Sequence, residues 1–108
     1  MGIMRTAAEI AAKSEKDAQD LLKKCMAFAK KNHIYTGHNE VYFDKGNWIM
    51  TIANSNGGGK HGFSEEMSDI IAKHPRAKVI KKEEFDGNYD WPSRTYNEDS
   101  SAVTFKFV

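Results

Sequence analysis

Between Ala7 and Ala29 apolar residues recur at spacings of three, four and seven, and from Tyr35 onward that rhythm is gone. Ala7, Ala11, Ala18, Leu21, Leu22, Cys25, Phe28 and Ala29 fall on one face at 3.6 residues per turn, with Lys, Glu, Asp and Gln on the other. A helix of this kind needs an apolar surface to lie on. Thr6-Ala7-Ala8-Glu9 has the form of a capping box, so the helix is predicted to begin near Thr6. Lys30 and Lys31 suit the negative end of its dipole, and Asn32 is suited to the left-handed conformation that ends it. Ser14-Glu15-Lys16-Asp17 interrupts the stripe and resembles a second cap, which predicts a break or kink there.

Strands supply the surface. Glu40-Val41-Tyr42-Phe43 and Asn47 to Ala53 are rich in aromatic and β-branched residues, and Asp44-Lys45-Gly46 between them offers a turn with glycine where φ is positive. The second strand is apolar on both faces, which places it centrally in its sheet. Asn54 to Gly62 is a loop on composition. Phe63 and Ser64 open a second helix, with Ser64 as cap, Glu65 and Glu66 near its positive end, and Met67, Ile70 and Ile71 as its stripe. Pro75 ends it, since the residue before a proline is pushed out of helical geometry. Lys78 to Phe85 reads as a third strand, and Ala102 to Val108 as a fourth, with Val103, Phe105 and Phe107 on one face. The order helix, strand, strand, helix, strand, strand predicts a two-layer α+β fold. Its four-stranded, mostly antiparallel sheet should be covered on one face by both helices. At 108 residues the chain is expected to form one domain over residues 1–108, with residues 1–5 flexible.

Composition narrows the function classes. No apolar run approaches the roughly 20 residues of a membrane helix, and the start lacks a continuous apolar centre, so no membrane is expected and the cytoplasm is the expected location. Cys25 is the only cysteine, which excludes an internal disulfide, and it sits on the helix stripe as a small core residue. His33, His38, His61 and His74 show none of the short pair spacings of zinc ligands, so neither metal nor cofactor is expected. His33 and His74 fall at predicted helix ends, where an imidazole can cap carbonyls.

Charge is uneven along the chain. Residues 1–33 carry seven Lys/Arg against four Asp/Glu, whereas residues 83–108 carry two against six. Lys23, Lys24, Lys30 and Lys31 on the first helix, with Arg76, Lys78, Lys81 and Lys82 after the second, could border one basic face open to nucleic acid; the alternative, which is favoured, is that they solvate the outer faces of helices and an edge strand. Ala8-Glu9-Ile10-Ala11, Leu21, Leu22, Cys25, Phe28 and His33-Ile34 resemble the second and third helices of a bacterial winged helix-turn-helix, with residues 41–53 as its wing. That resemblance implies DNA reading. The turn KSEKD lacks the usual glycine, and the recognition helix would offer Glu15, Asp17 and Asp20 to the DNA.

Two loops hold the remaining candidates. Gly57, Gly58, Gly59, Lys60 and His61 lie between a strand and a helix, where backbone N–H groups can cradle a phosphate. The letters depart from a P-loop: His61 stands where a hydroxyl residue belongs, and Asn54 where the first glycine belongs. His61 is also the best single candidate for a general acid or base, should the chain be a small enzyme. The 16-residue stretch from Asp86 to Ser101 separates two strands, and loops that long are uncommon unless functional or disordered. It crowds Tyr89, Trp91, Arg94 and Tyr96, the residue types over-represented in interface hot spots. The expected function is therefore a small non-catalytic protein-binding module, such as an inhibitor, adaptor or accessory factor, docking through this aromatic and acidic loop on a protein partner. Small size and lysine richness are compatible with a phage or mobile-element protein.

Overall fold

The computed structural model describes residues 7–54, 62–85, 89–90, 95–96 and 99–108, with side chains for 14–53, 62–85 and 99–108. Thr6 and residues 1–5 lie outside the described residues. Helix α1 runs unbroken over Ala7–Lys31, so the break expected at Ser14 to Asp17 does not occur. Asp17 directs its carboxylate to the Arg76 guanidinium instead of to a backbone N–H, and Ala18, fully buried, resumes the apolar stripe. The turn of a helix-turn-helix is thereby absent from this segment.

The end of α1 is a Schellman motif. Ile34 N–H donates to Ala29 O at 2.8 Å and His33 N–H to Lys30 O at 3.3 Å. The left-handed residue is His33, at φ 57°, and not Asn32. Asn32 uses its side chain otherwise, donating from Nδ2 to Phe28 O at 2.9 Å. Ile34 then packs against the core, which supplies the apolar contact that accompanies this ending.

Strand β1 covers Thr36–Asp44 and β2 covers Asn47–Asn54, joined by Lys45 and Gly46 at φ 49° and 86°. Two consecutive positive φ values are what a tight antiparallel hairpin requires, because they match the right-handed strand twist. Helix α2 spans Ser64–Ala72. Strand β3 is Ala77–Phe85, β4 is Tyr89–Asp90, β5 is Thr95–Tyr96 and β6 is Ser100–Phe107. The main sheet has the order β1-β2-β6-β3, with every neighbouring pair antiparallel. β2 is central, as its two apolar faces require, and β6 lies beside it. The stretch expected to be one loop from Asp86 to Ser101 is shorter and partly paired. Ser100 and Ser101 belong to β6, while β4 and β5 pair with each other as a separate two-stranded unit. Serines carry little strand propensity, so their place is set by tertiary contacts.

One face of the sheet is covered. Trp48, Met50 and Ile52 from β2, Val103 and Phe105 from β6, and Val41 from β1 are buried against Leu21, Leu22, Cys25 and Ala29 of α1 and Met67 and Ile71 of α2. Phe105 meets Phe107 edge-on at 5.6 Å, and Trp48 meets Phe43 at 5.2 Å. β3 shifts register between Val79 and Lys81, leaving Ile80 half exposed at 46%. A bulge on an edge strand discourages further pairing there. Phe105→Ala is expected to cost about 3–5 kcal/mol in urea denaturation, whereas Ile80→Ala should stay within about 0.5 kcal/mol.

Candidate functional site

The positive end of α2 is the first place to look for an anion site, and the chain fills it with its own carboxylate. Glu84 on β3 accepts the Ser64 N–H on Oε1 at 2.8 Å and the Ser101 hydroxyl on Oε2 at 2.7 Å. Ser101 Oγ in turn accepts the Phe63 N–H at 2.9 Å. Ser64 is therefore not the side-chain cap expected; Phe63 holds the N-cap position without a side-chain bond. A phosphate cradled here would have to displace Glu84. Gly62 passes close to that carboxylate at φ +81°, so any Cβ at this position would run into Glu84. Gly57, Gly58, Gly59, Lys60 and His61 lie outside the described residues, as do Trp91 and Arg94. Tyr89 is paired in register with Tyr96, and Asp90 with Thr95.

The lysines that could have shared one basic face are divided between two. Lys78 is paired with Lys106 and Lys81 with Thr104, in register with the positions that alternate away from Val79, Phe105 and Val103, so these lysines stand on the sheet face opposite the helices. Lys23 and Lys30 are exposed on α1, in the opposite layer. Others are engaged with carboxylates: Arg76 with Asp17, Lys82 with Glu65 at 2.8 Å, and Lys81 with Glu83 at 3.2 Å. The bulge at Ile80 turns Lys82 toward the helical side, which the sequence spacing alone could not show.

Between the helices lies a hollow of about 420 Å³ lined by Lys24, Ala27, Phe28 and Lys31 of α1 and by Ile70, Lys73, His74 and Pro75 in and after α2. A second, of about 480 Å³, lies on the other side of Ala27, against Met26, Lys30, Ile34 and the exposed Tyr35. His74 does not cap carbonyls with its ring. Its Nδ1 accepts the Arg76 N–H at 3.1 Å, and the ring lies edge-on to Phe107 at 5.1 Å. Among the described residues no group of three His, Cys, Asp or Glu is placed to hold a metal ion. No helix there is long and apolar enough to cross a membrane. The Cys25 thiol is buried under α1, and burial pushes its pKa up to about 12. Such a thiol is a core residue and a poor nucleophile. No family model matches the chain, and no curated protein or solved structure is similar to it.

Glu84→Ala removes the acceptor from the Ser64 N–H and the Ser101 hydroxyl, and is expected to lower stability by about 1–3 kcal/mol in thermal or urea unfolding. Because burial raises the Cys25 pKa in the folded state, the native chain holds this proton more tightly than the unfolded chain. Its stabilising contribution is complete below pH 9.0 and is lost as pH rises toward about 12. Urea midpoints measured across that window should fall less steeply in Cys25→Ala than in the parent.

Proposed function

We propose that the chain is a small non-catalytic protein-binding module, an inhibitor, adaptor or accessory factor, that docks on a protein partner through Tyr89, Trp91, Arg94 and Tyr96. The observation that carries this reading is the pairing of Tyr89 with Tyr96 in a two-stranded unit apart from the main sheet. Backbone pairing within the segment reduces the conformational entropy that docking would otherwise cost. The residue types it brings together combine large contact area with polar groups suited to a partner surface.

A second reading, a nucleic-acid-associated protein, draws on Lys78 and Lys106. They stand opposite each other on the sheet face away from the helices, with no carboxylate partner among the described residues. Like charges directly opposite destabilise a strand pair and favour a bound anion. The small-enzyme reading rests on His61, outside the described residues, and gains no support.

The two readings separate on salt and on one residue. Under the first, the immobilised chain captures one protein from lysate in high salt, and Trp91→Ala, folded by circular dichroism, loses that capture. Under the second, retention on heparin or DNA falls steeply with salt and Lys78→Glu abolishes it, while Trp91→Ala has no effect on capture.

A further inference from the structure

The hollow between the helices has a composition that neither helix shows alone. Along α1, Lys24 and Lys31 stand one turn before and one turn after Phe28, on the same side of the helix. Across from them, Ile70 is followed one turn later by Lys73, with Pro75 closing the end. Phe28 and Ile70 are half-buried and packed on the core, so the floor is apolar and fixed. Lys24, Lys31 and Lys73 are exposed, and none forms an ion pair among the described residues. Asp20 and Asp69 precede Lys24 and Lys73 by one turn without pairing to them, and Asp17 is taken by Arg76. Lys31 and Lys73 also lie near the carbonyl ends of their helices, but a helix terminus supplies only about half a unit of negative charge. Three full positive charges thus border an apolar floor with no ion pair to a carboxylate among the described residues.

We infer that this hollow, lined by none of the described residues of the aromatic stretch, is a docking groove for an acidic amphipathic helical segment of another protein. Charge complementarity selects the occupant. An apolar side chain seated between Phe28 and Ile70 covers the floor, and carboxylates one turn to either side of it reach Lys24 and Lys31. Those two lysines are seven residues apart on α1, or about 10.5 Å along its axis, which is also the span of two turns on an incoming helix. Lys73 meets a third carboxylate on the facing side. A basic segment would be repelled, and a phosphodiester backbone would satisfy the lysines while leaving Phe28, Ile70 and Pro75 uncovered. Helix-in-groove recognition of this kind takes its affinity from the apolar anchor and its selectivity from the flanking charge.

The test uses the full chain and a fluorescein-labelled helical peptide of about 16 residues, with leucine or phenylalanine anchors flanked by glutamates three and four residues away. A second peptide carries lysine in place of each glutamate, and oligo-dT is a third probe. Anisotropy titrations are expected to show saturable binding of the acidic peptide alone. Affinity should fall roughly tenfold in K24E/K31E and remain unchanged in the control variant K78E/K106E. Amide chemical-shift changes should map to residues 24–31 and 70–76. Circular dichroism confirms that both variants fold, since every altered side chain is exposed. The inference is overturned if the acidic peptide does not saturate, if K24E/K31E binds it as well as the parent, or if oligo-dT and not the peptide shifts those amides.

Discussion

Burial of a single sheet face by two helices is the constraint on which the rest of this fold rests. Trp48, Met50 and Ile52 alternate on β2 toward the same side as Val103 and Phe105 on β6, and among the described residues α1 and α2 cover them. Because both helices must lie on that side, they lie next to each other, and their meeting line becomes a surface feature. The sheet order sharpens the dependence. β6, from the far end of the chain, inserts between β2 and β3, so in the main sheet only β1 and β2 are joined by a tight turn. The apolar layer is completed only once the last strand has paired on both of its edges. Non-local pairing of this kind makes closure of the sheet, not formation of α1, the step expected to govern assembly.

The joint that fixes α2 to the sheet shows how polar groups serve the same constraint. Glu84, Ser101, Ser64 and Phe63 form one chain of hydrogen bonds linking β3, β6 and the start of α2. It gives the helix N-terminus an acceptor and places a negative charge at its positive end. A loop that looked fit for phosphate by position therefore leads into a helix whose terminus is already occupied. Positive charge without an ion pair among the described residues lies elsewhere, around the crevice bordered by Lys24, Lys31 and Lys73.

The period of the apolar residues was enough to read the element order, the hairpin at Lys45-Gly46 and the central place of β2, because each depends on neighbours within a few residues. What was not legible depends on residues far apart. Ser64 looked like a cap, yet the acceptor comes from Glu84, twenty residues on. Ser14 to Asp17 resembles a cap, yet the Asp17 carboxylate goes to Arg76, distant in sequence, and the helix runs on. Asn32 and His33 compete for one left-handed position, and local propensity favours the asparagine; packing of Ile34 is consistent with the shift to the histidine. The lysines gave a total but not a distribution, since the bulge at Ile80 and the layering of helix over sheet decide which face each one joins. Phe28 read as a stripe residue, and its half-exposed ring beside Ile70 exists only once α1 and α2 are adjacent.

If the hollow between the helices takes an acidic helix, that helix should shield it and leave the opposite sheet face alone. The direct measurement is amide hydrogen exchange on the full chain, alone and with the acidic helical peptide. The account expects slowed exchange in the last two turns of α1 and at residues 70–76, with β3 and β6 unchanged around Lys78 and Lys106. Slowing confined to that sheet face, with none along the helices, would contradict it.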